Sequence, residues 1–177
     1  MDERLSDAVT ARTEKTYGLS SQEFVYRHCM INRRDKANKE IPSIWNFTPS
    51  PSDKNDGMSV HAVNLTTPEE SLAILGAQYK PNTTEFKDFS TREIYHLNVG
   101  YVRTLPKIKD VIHDPIFDIN PPIGYPNNIA HSLITFTSFE FEDEPELFYK
   151  MRDHAVSNGR VAVDLELVKK LTIELRS

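Results

Sequence analysis

Cysteine is almost absent, since Cys29 is the only one among 177 residues. One thiol cannot form an intramolecular disulfide or build a cysteine-rich zinc knuckle. This usage is typical of a reducing compartment, so we expect a cytoplasmic protein without a metal centre. Long apolar runs are also missing, because no stretch approaches the roughly 18 residues that cross a bilayer. The charged start at residues 1–4 is unlike a signal peptide, so we expect neither secretion nor a membrane partner.

The familiar nucleotide-binding and catalytic motifs are missing as well. The chain holds no G-x-x-x-x-G-K-[ST] loop, no G-x-G-x-x-G turn, no G-x-S-x-G elbow and no H-E-x-x-H pair. The net charge of −5 argues against wrapping of double-stranded DNA, which depends on accumulated lysine and arginine. Function therefore has to be argued from smaller patterns.

Composition is that of an ordinary globular chain, with 38% hydrophobic and 27% charged residues. A chain of this length can bury one core and needs no second domain. We expect residues 21–177 to form a single α+β domain with a mixed, mainly antiparallel sheet and three to four helices packed on it. Residues 1–20 are polar and predict an N-terminal arm or a short helix around 6–15.

Local patterns place the elements of this domain. Alternating side chains predict strands at 24–31, 58–63, 99–105, 111–113, 129–141 and 160–165. Capping signals predict helices at 68–77, 90–97 and from 143 or 144 to 158. The end of the chain predicts a helix over 167–175 or a strand over 171–175. A long loop at 32–57 and a proline-rich connector at 114–128 separate these elements.

The first predicted strand carries Arg27 in an otherwise apolar row. Read with a period of two, Arg27 shares its face with Val25, Cys29 and Ile31. A guanidinium on a buried face costs several kcal/mol in rough terms when it has no partner, so a structural group or a bound anion should satisfy it. Cys29 is interpreted as a small core residue.

Histidines occupy similar positions on other predicted strands, at His61 and His131. If these strands pair, both imidazoles converge with Arg27 on one face, and His113, followed by Asp114, completes a site. Imidazole titrates near neutral pH, and arginine stabilises developing negative charge, which suits cleavage of a phosphodiester. The candidate catalytic residues are His61, His113 and His131, and the candidate ligand-binding residues are Arg27, Tyr26 and Ser59. The alternative is that each histidine is bonded separately to backbone groups.

Charge is unevenly distributed along the chain. Residues 27–39 contain five cations against one anion, and residues 140–146 contain five anions and no cation. Such segments are either solvated loops or surfaces that recognise a partner through charge complementarity. The second interpretation predicts a small cytoplasmic interaction or regulatory protein that binds a protein partner. Its candidate partner-binding residues are Arg33, Arg34, Lys36 and Lys39.

Three short segments resemble the start of the RES and wider ADP-ribosyltransferase-like families. They are Val25-Tyr26-Arg27, Ser59-Val60-His61-Ala62 and Glu70-Ser71-Leu72-Ala73. In those families an arginine or histidine on the first strand helps to hold NAD. The resemblance implies this role for Arg27 and makes NAD a cofactor under the enzyme hypothesis, whereas the interaction hypothesis implies no cofactor.

A looser pattern over about residues 25–160 resembles small uncharacterised bacterial proteins. It comprises Tyr26-Arg27, the prolines at 49–51, Ser59-Val60, Asp114-Pro115 and Ala130-His131. This resemblance implies an accessory role in a bacterial gene cluster and transfers no activity. Two functions therefore stay open: an interaction or regulatory protein, which charge favours, and a nucleotide- or RNA-directed enzyme.

Overall fold

A computed structural model describes residues 19–49, 57–137 and 144–177. Its strands are β1 (Phe24–Met30), β2 (Met58–Ala62), β3 (Arg92–Asn98), β4 (Ile108–His113) and β5 (His131–Phe136). Its helices are α1 (Pro68–Gly76), α2 (Val99–Thr104), α3 (Pro145–Asn158) and α4 (Leu165–Leu175), with 3₁₀ turns at Ile44–Asn46, Val63–Leu65 and Phe89–Thr91. The strands form one antiparallel sheet in the order β3-β1-β2-β5-β4, so the predicted α+β class is confirmed. The predicted arm lies almost wholly outside the described ranges.

The sheet separates two apolar layers. On one face, Val25 and Ile134 pack with Met151 of α3 in the larger core cluster. On the other face, Ile94 packs with Leu72 of α1 and Val168 of α4. Cys29 belongs to the larger cluster and is fully buried, which confirms its predicted place in the core. Over the described ranges, none of the helices combines the length and apolarity needed to span a membrane.

Local chemistry accounts for α1, which confirms the prediction at 68–77. The Thr67 hydroxyl accepts from the backbone N–H of Glu70, and the Glu70 carboxylate accepts from the backbone N–H of Thr67. Pro68 begins the helix without needing a hydrogen-bond acceptor. The start of the helix is therefore specified by four consecutive residues.

The predicted helix at 90–97 is wrong, because this segment is the strand β3. The capping signal acts only over the 3₁₀ turn, where the Asp88 carboxylate accepts from the N–H of Ser90. Glu93 binds Arg34 instead of reaching back to a helix cap. Pairing of β3 with β1 along its whole length then overrides the weak local signal.

Two predicted strands are also wrong. Residues 99–104 form α2 because the Asn98 side chain caps the N–H of Tyr101. Residues 160–165 carry a single bridge, from Arg160 to Tyr95, and no strand. Val161 and Val163 still pack beside the α1 and α4 layer, so their alternation reports burial rather than a continuous ladder. The last helix, α4, confirms the helical prediction at the end of the chain.

Candidate functional site

A cleft of about 1460 Å³ lies beside the junction of β1 and β2. The strands pair at Val25 with Ala62 and at Tyr26 with His61. Later residues of β1 and earlier residues of β2 line the cleft. The 3₁₀ turn Ile44–Asn46 and the start of α3 contribute further walls. The volume exceeds the roughly 300–1,000 Å³ that is usual for pockets that bind small ligands.

Arg27 joins three parts of the cleft. Its Nε donates to the carbonyl oxygen of Asn46 at 2.7 Å, and its Nη1 donates to the carbonyl oxygen of Ser59 at 2.8 Å. These bonds connect β1 to the 3₁₀ turn and to β2. The expectation that a group on the protein or a ligand satisfies this guanidinium is therefore met at least in part by backbone carbonyls.

Ser59, His131 and Asp114 form a hydrogen-bonded series at the cleft. The Ser59 Oγ lies 2.9 Å from His131 Nε2, and His131 Nδ1 lies 2.7 Å from the backbone oxygen of Asp114. A carbonyl oxygen can only accept, so the proton of neutral His131 sits on Nδ1. Nε2 consequently carries a lone pair and accepts the Ser59 hydroxyl proton. The Asp114 carboxylate also lies 3.4 Å from Nδ1.

A second series, more deeply placed, runs through His28, Ser71, His61 and Asn128. The Ser71 Oγ lies 2.7 Å from His28 Nε2 and 2.7 Å from His61 Nδ1. On its other side, His61 Nε2 accepts from the Asn128 amide at 2.9 Å. His61 Nδ1 therefore donates to Ser71, and the Ser71 hydroxyl donates to His28.

Both histidines of this series are neutral at physiological pH. Burial, with the neighbouring charge of Arg27 second, lowers the pKa of His28 to about 3. Burial, followed by His28 and His131, lowers the pKa of His61 well below its usual value. These histidines act as hydrogen-bonding groups, and their pKa values are lowered mainly by burial and secondarily by neighbouring cations.

The cleft is basic although the chain is acidic. It is lined by six cationic residues and one anionic residue, whereas the whole chain carries −5. The cations are Arg27, Arg33, Arg34, Lys36, Lys87 and Arg92. Burial, and then the charge of Arg92, lowers the pKa of Lys87. Burial, and then the charge of Arg33, lowers the pKa of Arg92. Each of these shifts therefore has burial as its main cause and a neighbouring cation as its second.

One of these cations has a firm structural partner. Arg34 binds Glu93 through two nitrogen–oxygen contacts of 2.6 and 3.1 Å. Glu93 is only 6% exposed, and its carboxylate is held by these two contacts and by the exposed Arg160 at 3.6 Å. At the rim, Asp35 is 2.9 Å from Arg152, which joins the basic segment to α3. Residues 32–36 of the basic segment are therefore part of the cleft wall.

The structure brings five of the six predicted site residues to this cleft. They are Tyr26, Arg27, Ser59, His61 and His131. His113 does not join them, because its side chain is fully buried and its Nε2 donates to the carbonyl oxygen of Ile129. Along β4, His113 points to the same side as Val111, so it lies on the opposite face of the sheet from His131. The prediction that His113 completes this site is therefore wrong.

The predicted partner-binding cations are divided. Arg33, Arg34 and Lys36 line the cleft, whereas Lys39 is exposed outside its lining. Most of the acidic segment 140–146 lies outside the described residues. Its described members include Glu144, which approaches Lys107 at 3.8 Å. Among the described residues, no group of three or more His, Cys, Asp or Glu side chains is arranged to hold a metal ion.

Sequence reasoning missed His28, Ser71 and the pairing of Ser59 with His131. His28 shares the alternating row of Tyr26, and that spacing was a usable signal for its face. Ser71 lies on α1, and nothing local to a helix predicts contact with two strands. Ser59 is predicted only as a ligand-binding residue, whereas its side chain bonds His131 on β5.

No significant match to this chain was found among protein-family models, curated proteins or solved structures.

Proposed function

We propose that the cleft binds a nucleotide through its phosphates and that the protein is a nucleotide-directed enzyme. The observation that carries this proposal is the concentration of six cations around one cleft of an acidic chain. If charge were evenly distributed over this acidic chain, anionic residues would outnumber cationic residues around the cleft as well. Phosphate is the common biological anion for which clustered arginine and lysine are suited.

Aromatic side chains at the cleft support a nucleotide rather than inorganic phosphate. Trp45 and Tyr149 line the cleft and are 65% and 42% exposed. Exposed aromatic rings provide stacking surfaces for bases, worth roughly 1–3 kcal/mol per base. Tyr26 also lines the cleft but is only 5% exposed, so its ring contributes to the wall. Mononucleotides, NAD and short RNA share the phosphate and base chemistry that this arrangement fits.

The binding experiment uses Trp45 as its reporter, because it is the only tryptophan of the chain. ATP, NAD and a short RNA are titrated against the protein with fluorescence and calorimetry, and adenosine serves as the ligand without phosphate. We expect the preferred phosphate-bearing ligand to bind at least about tenfold more tightly than adenosine, the effect of one charge-assisted hydrogen bond. The rank of the three ligands identifies which class the cleft prefers.

Arg33→Gln is the test variant because Arg33 is exposed and lines the cleft, so its loss leaves the core intact. We expect phosphate-ligand affinity to fall by about tenfold. Lys169→Gln is the matched control, since Lys169 is exposed on α4 and is not part of the cleft lining. Equal affinity for ATP and adenosine, or wild-type affinity in Arg33→Gln, would contradict the proposal.

Docking of a protein partner through the basic and acidic segments stays a prediction. Three of its four cations line the cleft, which connects them more directly with a bound ligand than with a flat protein surface. Its acidic counterpart falls mainly outside the described residues. The nucleotide proposal is preferred because its cations, aromatic rings and cavity lie together.

A further inference from the structure

We propose that Ser59 is a nucleophile activated by His131, that Asp114 positions His131, and that Ser59 takes a phosphoryl or nucleotidyl group from the ligand. The substrate class, a nucleotide with a phosphoanhydride or phosphodiester bond, rests on the proposed function. The nucleophile itself rests on separate geometry. Ser59 is exposed in the cleft, with its Oγ 2.9 Å from a nitrogen that can only accept.

The direction of the hydrogen bonds gives His131 the role of general base. Its Nδ1 proton is committed to the Asp114 carbonyl oxygen at 2.7 Å, which fixes the tautomer that leaves Nε2 basic. When Nε2 takes the Ser59 proton, the resulting imidazolium faces the Asp114 carboxylate at 3.4 Å. Asp114 is therefore a positioning residue that also stabilises the charged form.

The proposed reaction has two balanced steps. The Ser59 oxygen forms a bond to phosphorus, the bond from phosphorus to the leaving oxygen breaks, and the Ser59 proton passes through His131 Nε2 to that oxygen. Water then attacks phosphorus and gives a proton to Nε2, which returns it to the Ser59 oxygen as the serine–phosphorus bond breaks. The sum is hydrolysis of one phosphorus–oxygen bond, with no oxidant, reductant or metal required in the balance.

Ser71 provides an internal contrast. It also contacts imidazole nitrogens, at 2.7 Å from each of His28 and His61, but it is completely buried. A reagent in the cleft reaches Ser59 and does not reach Ser71. Contact between serine and histidine alone therefore does not make a nucleophile, whereas contact combined with exposure to a ligand-sized cleft does.

The first experiment treats the full chain with a fluorophosphonate, which phosphonylates an activated serine and releases fluoride. Intact mass should show one adduct, and peptide mapping should place it on Ser59 and not on Ser71. Ser59→Ala should abolish the adduct, and His131→Gln should slow its formation by at least about 100-fold, the lower limit for loss of a general base. If the adduct forms slowly, and at the same rate in wild type and in His131→Gln, the proposed activation is overturned.

The second experiment uses Ser59→Cys and measures alkylation by iodoacetamide against pH. Cys29 gives little background, because it is buried and burial raises its pKa to about 12. If His131 activates this position and lowers the introduced thiol from about 8.5 to about 7, its alkylation at pH 7 rises by about threefold after allowing for reduced nucleophilicity. In the double variant with His131→Gln, the midpoint of the alkylation rate against pH should return to about 8.5, the value of an ordinary thiol.

Neither experiment contains a nucleotide, so each separates the nucleophile from the proposed ligand. Absence of the adduct, together with alkylation profiles that are the same with and without His131, would overturn the Ser59 proposal even if ATP binds. Labelling of Ser59 in a protein that binds neither ATP, NAD nor RNA would support the nucleophile and reject the nucleotide. Circular dichroism confirms in each case that the variant is folded.

Discussion

Acidification from pH 7 to pH 5 should destabilise this protein through His28. Its pKa in the folded protein is about 3, whereas an unfolded histidine has a pKa near 6.5. The unfolded chain therefore binds more protons between these values, so stability is present above about pH 6.5 and is lost as the pH falls toward 3. At pH 5 the unfolded form is almost fully protonated at this position and the folded form is not.

The size of the effect follows from the two pKa values. At 1.36 kcal/mol for each pKa unit, His28 alone removes about 2 kcal/mol of unfolding free energy between pH 7 and pH 5. With a urea dependence of about 2 kcal/mol/M, the unfolding midpoint falls by about 1 M. His61 acts in the same direction, because burial also lowers its pKa.

The assay is urea unfolding followed by circular dichroism at both pH values. His28→Gln keeps an oxygen that can accept the Ser71 hydroxyl, so we expect it to fold and to lose about 2 kcal/mol less than wild type on acidification. Ser157→Ala is the control, since this exposed substitution removes no titratable group. Equal losses in wild type and His28→Gln would refute the linkage argument.

Two further predictions concern stability at neutral pH. Gly124 and Gly159 have similar positive φ values of 82° and 83°, but a Cβ at Gly124 would lie 2.2 Å from the Tyr79 ring and one at Gly159 meets nothing within 4 Å. Gly124→Ala should therefore lower the unfolding free energy by at least about 1 kcal/mol more than Gly159→Ala, and equal urea midpoints would contradict this clash. Arg34→Met should cost about 3 kcal/mol, because it removes two contacts from the buried carboxylate of Glu93 and leaves it the exposed Arg160 at 3.6 Å, whereas Glu93→Gln should cost less because Arg34 is 21% exposed. Urea unfolding measures both, and equal losses would show that the buried carboxylate is not the dominant cost.

The parts of the fold that could be predicted from sequence are those fixed by neighbouring residues. At α1, Thr67, Pro68 and Glu70 complete one another within a single turn, so local chemistry was sufficient. At β3, a similar capping signal failed because Glu93 has a partner 59 residues away in Arg34. A side chain that serves a distant partner is no longer available for its local role, and the sequence does not show which partner prevails.

In the candidate site, too, the features set by neighbouring residues could be predicted and those set by distant partners could not. Alternation was sufficient to place His61 and His131 on one face, because both lie in strands with an apolar row. It failed for His113 and for Arg27, because the register puts both on the face of the sheet opposite His61 and His131. The partner of Ser59 depends on the order of strands in the sheet, since β5 lies next to β2 only through pairing distant in sequence. That order is set by the whole core, not by any short motif.

The Ser71 hydroxyl can donate only one hydrogen bond, and this limits the positive charge that the histidines at the bottom of the cleft can carry. It now receives a hydrogen from His61 and gives its own to His28. An additional proton on His28 would turn that nitrogen into a donor and leave the serine hydrogen without its acceptor. Because Ser71 belongs to α1, protonation of His28 would reverse the hydrogen bond that joins this helix to β1.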